Sequence, residues 1–215
     1  MNIQAVTLAI PENEEDSDWV GFSDWASGYV KRNLSIDTHV LTSEYIKYGV
    51  DGLTFFDKVT SLKLLLFEFF PKADRIFFYD CDWRPVRQFN LWDYVPEKEG
   101  MYFVEDRLEL CNPLKVKYGM RRPYFNSGFF IVDRKYAHLF KYCYDNYHSY
   151  QRTYVEQCVL NQVCEEYVEY LDPRLNVKDF FREGGKYKNS EILGYHNGHN
   201  YAIFKGYYED QNWDT

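Results

Sequence analysis

Residues 75–83 constrain the fold more than any other segment, because an apolar run leads directly into two carboxylates. Residues 76–79 are one isoleucine, two phenylalanines and a tyrosine, which is typical of a strand buried on both faces. Asp80 and Asp82 follow, separated by Cys81. Burying two neighbouring carboxylates is unfavourable unless a positive charge offsets them. The segment therefore predicts a buried strand that ends at a site for a divalent cation.

The acid pair has two interpretations. Alternate side chains of an extended segment point the same way, so Asp80 and Asp82 would both reach one ion. Carboxylates suit Mg²⁺ or Mn²⁺, and His196, in a late loop, would be a third ligand with His199 as its rival. The alternative is an exposed turn that carries two solvated acids, together with an ordinary loop histidine at position 196.

Composition limits the class of protein. The chain has 215 residues and a formal net charge of −8, which fits a single domain and disfavours nucleic-acid binding, since that needs a basic surface. Its five cysteines are odd in number and form no CxxC pair, which favours a reducing compartment such as the cytoplasm. No apolar run reaches the ~18 residues that span a bilayer, and the first residues lack the pattern of a secretory signal.

Periodicity and turn residues divide the chain into alternating strands and helices. Strands are predicted at 3–10, 38–42, 75–79, 101–105, 128–133 and 192–196, and helices at 18–34, 55–70, 135–150 and 155–170. Helices between strands suit parallel crossovers, so we expect an α/β three-layer sandwich with a mostly parallel central sheet. Ligands of such sheets bind beyond the carboxyl ends of the strands. Residues 206–215 are predicted to be a polar tail or linker.

Two further polar groups are candidates for ligand binding. Asn126, Ser127 and Gly128 precede an apolar run and would bind sugar hydroxyls, with glycine allowing close approach. An ordinary turn explains them equally well. Glu156 and Gln157 open the last long helix, where a carboxylate and an amide would face a reacting sugar. Stabilisation of the helix dipole by the acid is the simpler explanation.

Four basic side chains are candidates for contact with a phosphate group. Lys63 lies on the helix before the apolar strand, Lys205 lies near the end of the chain, and Arg84 and Arg87 follow the acid pair. Basic residues in general are solvated surface side chains, and that alternative applies to all four.

Taken in order, these segments resemble glycosyltransferase family 8, within the GT-A class of nucleotide-sugar glycosyltransferases with a Rossmann-like fold. The resemblance spans nearly the whole chain, and the order of the motifs matters more than any one of them. The chain is also similar to a glycosyltransferase domain from a chlorovirus, a large algal DNA virus, which would place it in the host-cell cytoplasm. The matching features are strand 3–10, Lys63, Phe77-Phe-Tyr-Asp80-Cys-Asp82, Tyr124-Phe-Asn-Ser-Gly128, Glu156-Gln-Cys-Val-Leu-Asn161 and Tyr195-His196-Asn-Gly198.

The resemblance implies a hexosyltransferase-type enzyme that moves a sugar from a UDP-sugar to a hydroxyl of a glycan or glycoprotein. It also implies that Asp80, Asp82 and His196 hold Mn²⁺ or Mg²⁺ against the diphosphate. The other implied roles are nucleotide binding by Thr7, Ala9 and Pro11, donor binding by Lys63, Asp80, Cys81, Asn126, Ser127 and Lys205, and catalysis by Asp106, Glu156 and Gln157.

Departures from the family pattern leave the stereochemical outcome open. Glu156 stands where the family has Asp, and no Pro-Trp follows Lys205. In an inverting reaction Asp106 or Glu156 would act as general base. In a retaining reaction Glu156 or Gln157 would lie on the face of the sugar opposite the leaving group.

Two other functions are weighed against the transferase. A nucleotidyltransferase that makes nucleotide sugars would carry a basic, glycine-rich loop after its first strand, whereas residues 11–15 are acidic. A carbohydrate-binding protein without catalysis is the second alternative. The sequence identifies neither donor sugar nor acceptor, and it allows for further domains in a longer chain.

Overall fold

The structure, a computed structural model, describes residues 1–11, 18–51, 54–106, 111–178 and 187–196. Its strands are β1 (Ile3–Leu8), β2 (Thr38–Leu41), β3 (Arg75–Tyr79), β4 (Trp83–Pro85), β5 (Met101–Glu105), β6 (Phe125–Asp133), β7 (Val168–Tyr170), β8 (Val177–Lys178) and β9 (Gly194–His196). Its α-helices are α1 (Asp18–Leu34), α2 (Phe55–Ser61), α3 (Leu66–Phe69), α4 (Cys111–Lys117), α5 (Ala137–Asp145) and α6 (Val155–Cys164).

The central sheet has six strands in the order β2-β1-β3-β6-β5-β7. Pairs β1–β2, β1–β3 and β5–β7 are parallel, whereas β6 runs antiparallel to both of its neighbours. Five strands therefore point one way and only β6 is reversed. The predicted α/β architecture with a mostly parallel sheet is confirmed.

Helices cover both faces of this sheet and give the fold its three layers. On one face Val6, Phe78 and Phe130 pack with side chains of α5 and α6. On the other face Phe77 and Phe129 pack with side chains of α1. All five residues of β3 are buried because alternate side chains enter opposite cores. This double burial is the physical reason for the continuous apolar run at residues 76–79.

A second sheet of three short strands has the order β4-β9-β8. In its antiparallel ladder Trp83 pairs with His196, and in its parallel ladder Lys178 pairs with His196. This small sheet joins the end of the acid pair to two segments that lie about a hundred residues later in the chain. Only β9 had been predicted from the sequence, as strand 192–196.

Other differences from the sequence predictions have local causes. The predicted helix 155–170 is wrong in its last part, because α6 ends at Cys164 and Val168–Tyr170 forms the edge strand β7 against β5. The predicted helix 55–70 is interrupted by a 3₁₀ turn at Leu62–Leu65. Strand β6 starts at Phe125 rather than at residue 128.

The predicted extent of the domain stays a prediction, because residues 206–215 lie outside the described residues. Among the helices described above, none combines the length and the apolar character that crossing a membrane requires.

A buried ion pair fixes β3 against β6 at the end of the sheet that is remote from the acid pair. Arg75 Nε lies 2.8 Å from Asp133 Oδ1, and Arg75 Nη2 lies 2.8 Å from Asp133 Oδ2. The backbone N–H of Gly100 also donates to Asp133 Oδ2, at 2.8 Å. Both charged side chains are almost fully buried, so the pair satisfies groups that would otherwise be unpaired in the interior.

We expect Asp133→Ala to destabilise the fold strongly, because it leaves the Arg75 guanidinium buried without its partner. Removing one member of a buried pair lowers the free energy of unfolding by about 3–5 kcal/mol, which urea denaturation would measure. Asp37→Ala is the matched control, since its pair with Lys31 is exposed and should contribute little. Equal effects of the two substitutions would contradict the structural importance of the buried pair.

Candidate functional site

The predicted ligand residues come together at one edge of the central sheet. Asp80 directly follows β3, and Asp106 directly follows β5. Because β6 is reversed, its first residues reach the same edge, and these include Asn126 and Ser127. The Asp80 N–H donates to the Gly128 carbonyl at 2.7 Å. The one antiparallel strand thus brings the polar start of β6 beside the acidic ends of its neighbours.

The acid pair lies in a tight turn rather than in an extended segment, so the predicted geometry is wrong. The Trp83 N–H donates to the Asp80 carbonyl at 2.8 Å and closes this turn between β3 and β4. Both carboxylates nevertheless face His196, whose Nε2 lies 3.1 Å from Asp82 Oδ1 and 3.7 Å from Asp80 Oδ2. One ligand atom from each of the three side chains lies within 4.8 Å of the others, a spacing that can hold one metal ion.

A relay of side-chain amides fixes the orientation of His196. The Gly128 N–H can only donate, so the Asn126 atom that it contacts at 2.9 Å is the amide oxygen, Oδ1. The Asn176 atom that contacts the same oxygen, also at 2.9 Å, is therefore the amide nitrogen, Nδ2. Asn176 Oδ1 then faces His196 Nδ1 at 3.1 Å, and an amide oxygen only accepts. Nδ1 therefore carries a proton toward Asn176, and Nε2 faces the two carboxylates, the orientation of a metal-ligating histidine.

Gly128 lines the space between the ligands. A Cβ atom at this position would lie far inside van der Waals distance of Asp80 Oδ2 and His196 Cε1. Glycine therefore leaves open the room that an ion between these two side chains would occupy. Two carboxylates, one imidazole and this open cradle fit Mn²⁺ or Mg²⁺, and the imidazole favours Mn²⁺.

The charge state of Asp82 suits a cation ligand. Burial alone would raise its pKa, but the electrostatic interaction and the hydrogen bond with His196, followed by the charge of Arg84, lower the pKa of Asp82 to about 2. The side chain is therefore a carboxylate throughout the neutral range. Burial, followed by the charges of Asp82 and Asp80, raises the pKa of the intervening Cys81 thiol, so Cys81 stays protonated.

Lys63 joins the acid pair to the start of α6. Its Nζ lies 2.8 Å from Asp80 Oδ1 and 2.9 Å from Glu156 Oε1. Burial would lower the pKa of Lys63, but the charges of Asp80 and Glu156 and their hydrogen bonds raise it well above its ordinary value. The side chain is 5% exposed. The solvated-surface alternative for Lys63 is therefore wrong, and its ammonium group serves two carboxylates at once.

The start of α6 faces the start of β6 through side-chain hydrogen bonds. Ser127 Oγ donates to Glu156 Oε1 at 2.8 Å, and the Ser127 N–H donates to Gln157 Oε1 at 2.9 Å. Asn126 Nδ2 also donates to Gln157 Oε1, at 2.8 Å. Glu156 Oε2 is buried and has no hydrogen-bond partner among the described residues. Glu156 therefore does more than stabilise a helix end, because it is built into the polar cluster.

Asp106 is the fourth carboxylate of the cluster. Its Oδ2 accepts from Lys178 Nζ at 2.9 Å and from Gln157 Nε2 at 3.2 Å. Sequence reasoning missed Lys178 and Asn176, which belong to a strand of two residues and the 3₁₀ turn before it. The available signal was a polar asparagine placed between Leu175 and Val177, which is weak without the fold.

Asn161 has a structural role that the sequence did not indicate. Its Oδ1 accepts from the Phe125 N–H and its Nδ2 donates to the Phe125 carbonyl, both at 2.8 Å. These two bonds imitate a neighbouring strand and hold the start of β6 against α6. The side chains of Asn126 and Ser127 are thereby fixed at the site.

The residues predicted to bind a nucleotide lie at the same edge of the sheet. In the parallel β1–β3 ladder Val6 pairs with Phe78, so Thr7 and Ala9 lie level with the end of β3. Thr7 Oγ1 is buried and has no hydrogen-bond partner in the described part of the chain. Pro11 follows and is partly exposed.

The predictions for Lys205 and His199 concern residues outside the described part of the chain. Both therefore stay predictions. Of the acidic loop at residues 11–15, which disfavours a nucleotidyltransferase, only Pro11 is among the described residues.

Comparison with known proteins identifies a family and a fold. The family model described as Glycosyl transferase family 8 matches residues 28–194. By sequence, no curated protein matches the chain.

Three solved structures illustrate the fold. The galactosyltransferase LgtC, in complex with donor and acceptor sugar analogues, is 16% identical with a TM-score of 0.67, over 99% of this chain and 96% of that one. A glycosyltransferase involved in glycosylation of the major capsid of PBCV-1 is 12% identical with a TM-score of 0.61, over 96% and 98% of the two chains. Mouse xyloside xylosyltransferase 1 is 12% identical with a TM-score of 0.58, over 91% and 97%.

We expect Gly128→Ala to abolish metal binding at this site, because the new methyl group displaces Asp80 and His196 from each other. Titration with Mn²⁺, followed by electron paramagnetic resonance of the free ion, would measure the loss. Gly28→Ala is the matched control: a Cβ there meets nothing within 4 Å, and alanine in the middle of a helix is favourable by about 0.5–1 kcal/mol. Unchanged Mn²⁺ affinity in a folded Gly128→Ala protein would contradict the assignment of the site.

Proposed function

The chain belongs to glycosyl transferase family 8, and we propose that it transfers a sugar from a UDP-sugar to a hydroxyl group of a glycan or glycoprotein acceptor, with Mn²⁺ or Mg²⁺ as cofactor. The observation that carries this proposal is the group formed by Asp80, Asp82 and His196 at the carboxyl edge of the sheet. In open α/β sheets this edge is where ligands bind.

The charge balance of the cluster supports a divalent cofactor. Four carboxylates carry four negative charges, whereas two ammonium groups and the Arg84 guanidinium behind the acid pair carry three positive charges, so the cluster keeps a net negative charge. A divalent cation offsets that charge and relieves the repulsion between the acids at short range. The charged members are Asp80, Asp82, Asp106, Glu156, Lys63, Lys178 and Arg84.

Different side chains of the cluster would hold different parts of the donor. When bound, the cation supplies Lewis-acid stabilisation of charge on the leaving diphosphate. Lys63 keeps Asp80 and Glu156 in fixed positions, and Asn176 keeps Nε2 of His196 turned toward the acids. Asp106, with Asn126 and Ser127, offers hydrogen-bonding groups of the kind that sugar hydroxyls require. Glu156 Oε2, buried and without a hydrogen-bond partner among the described residues, would accept a hydrogen bond from a donor sugar.

The nucleotide would occupy the edge next to β1. Thr7 Oγ1 is a buried hydroxyl whose hydrogen-bonding capacity is unused by the described residues, and a base or ribose would satisfy it. Ala9 and Pro11 present small or apolar groups beside it. Cys81 lies between the two acids, where its backbone would meet the diphosphate, and Lys205 would add positive charge from the last part of the chain.

The ion pairs favour retention at the anomeric carbon. An inverting reaction needs a free carboxylate to take the acceptor proton. Glu156 Oε1 is bound by Lys63 and Ser127, and Asp106 Oδ2 is bound by Lys178 and Gln157, so each carboxylate already has an ammonium partner. We propose that Gln157 faces the side of the sugar opposite the leaving group, and that the acceptor proton passes to the departing phosphate oxygen.

Proton NMR of the first product formed would test the stereochemistry. Retention predicts that the new glycosidic bond has the anomeric configuration of the donor sugar, read from the coupling constant of its anomeric proton. Glu156→Gln should keep that configuration even where it slows turnover. A product of opposite configuration would make one of the paired carboxylates a base and would contradict this part of the proposal.

A thermal-shift panel tests the proposed reaction class. Two of the similar structures are a galactosyltransferase and a xylosyltransferase, so UDP-hexoses and UDP-xylose both belong in the panel, with and without Mn²⁺. A hundredfold excess of ligand over its Kd stabilises by about 2.7 kcal/mol, or roughly 5–10 °C for a chain of this size. We expect that shift for one UDP-sugar, and only with Mn²⁺ present.

Substituting one carboxylate provides the internal control. Asp82→Asn should leave the melting temperature of the free protein near that of the wild type and remove both the Mn²⁺-dependent shift and turnover. Asp93→Asn, an exposed acid away from the cluster, should keep both. Full activity of Asp82→Asn would refute the site, and binding of free glycan without metal or nucleotide would favour a carbohydrate-binding protein instead.

A further inference from the structure

Arg84 is a buried cation directly behind the acid pair. It lies in β4, two residues after Asp82, and its side chain is fully buried. Sequence reasoning treated it as a phosphate contact or a solvated surface residue, and full burial disfavours both. A charged side chain is rarely buried without a specific task.

The contacts of Arg84 are directed at the backbone of the turn. Its Nη1 donates to the Cys81 carbonyl at 2.6 Å and to the Trp83 carbonyl at 3.0 Å. The Asp80 carbonyl is already occupied by the Trp83 N–H. Consecutive carbonyls of the turn are therefore held by fixed donors, and the peptide plane that leads into Asp82 has one orientation.

The guanidinium itself is held from the side of α1. Its Cζ lies 3.9 Å from the ring centroid of Trp25, and Trp25 packs edge-on against Tyr29 with centroids 5.2 Å apart. A planar cation stacked on an indole keeps its donors in a fixed plane, which a lysine at this position could not do. Helix α1 thus supports the turn through Arg84.

Two effects of this residue on a bound cation oppose each other. Its positive charge disfavours a second cation nearby. Its hydrogen bonds, by contrast, fix the backbone from which the Asp82 carboxylate reaches His196. The sign of the change in metal affinity when Arg84 is replaced shows which effect dominates.

We propose that Arg84 is a positioning residue for the metal site, and that its hydrogen bond to the Cys81 carbonyl holds Asp82 in its ligating position. This inference rests on the proposed function, since it assumes that Asp80, Asp82 and His196 bind a divalent cation. Residues that orient metal ligands typically change affinity by about 10- to 100-fold when they are replaced.

Three variants of the full chain separate positioning from charge and from folding. Arg84→Met removes the charge and both carbonyl hydrogen bonds and keeps an unbranched apolar stem. Arg84→Lys keeps the charge and loses the planar fork. Arg87→Met is the matched control, because Arg87 also donates to carbonyls, those of Ile192 at 2.9 Å and Ser190 at 2.7 Å, but not to the acid turn.

The readout is the Kd for Mn²⁺, measured by electron paramagnetic resonance of the free ion without nucleotide and again with UDP. We expect Arg84→Met to weaken Mn²⁺ binding about tenfold or more, Arg84→Lys to weaken it by a smaller factor, and Arg87→Met to leave it unchanged. Melting curves without metal show whether each variant is folded. If Arg84→Met does not fold, the result for Arg84→Lys decides.

Unchanged or tighter Mn²⁺ binding by folded Arg84→Met would overturn the proposal, since charge repulsion would then dominate or the turn would hold itself. Wild-type affinity in Arg84→Lys would do the same where Arg84→Met is unfolded. A wild-type protein that binds no Mn²⁺ with or without UDP would instead overturn the proposed function, and this inference with it.

Discussion

Repulsion between four carboxylates at one edge of the sheet is the constraint that the rest of the structure has to meet. Lys63 relieves part of it by binding Asp80 and Glu156 together, and Lys178 relieves another part at Asp106. The negative charge that remains lies at Asp80 and Asp82, beside His196. The two ammonium groups therefore allow the acids to be buried in the folded protein, and the negative charge that remains attracts a cation.

The small sheet β4-β9-β8 converts that electrostatic arrangement into a defined geometry. Its two ladders place Trp83 and Lys178 on either side of His196. Backbone pairing of the strands therefore brings His196, from the last described segment, close to the acid pair. Asn176, just before β8, then fixes the imidazole. Backbone pairing therefore sets the position of His196, and the side-chain amide of Asn176 sets the orientation of its ring.

The sequence predicted the parts of the fold that have strong local signals. The apolar run at 76–79 marked β3 because both of its faces are buried, and helix α1 was predicted within its observed bounds. Strands β4, β7 and β8 have two or three residues and carry no usable periodicity. Asn176 and Lys178 could not be assigned for that reason, since their relation to Asp106 and His196 depends on pairing between distant segments. The turn at the acid pair was considered only as an exposed alternative to the metal site, because the Arg84 contact that holds its carbonyl comes from the following strand.

Strand β6 is tied at both ends, and this has a consequence for how the protein can change over evolutionary time. Its first residues are held by Asn161 and by the polar cluster, and its last residue is held by Arg75. Adding or deleting one residue between these two anchors would turn the side chains on one side of the change to the opposite core, or break one of the attachments. Length variation among relatives should thus be absent from residues 125–133 and concentrated in the connections on either side.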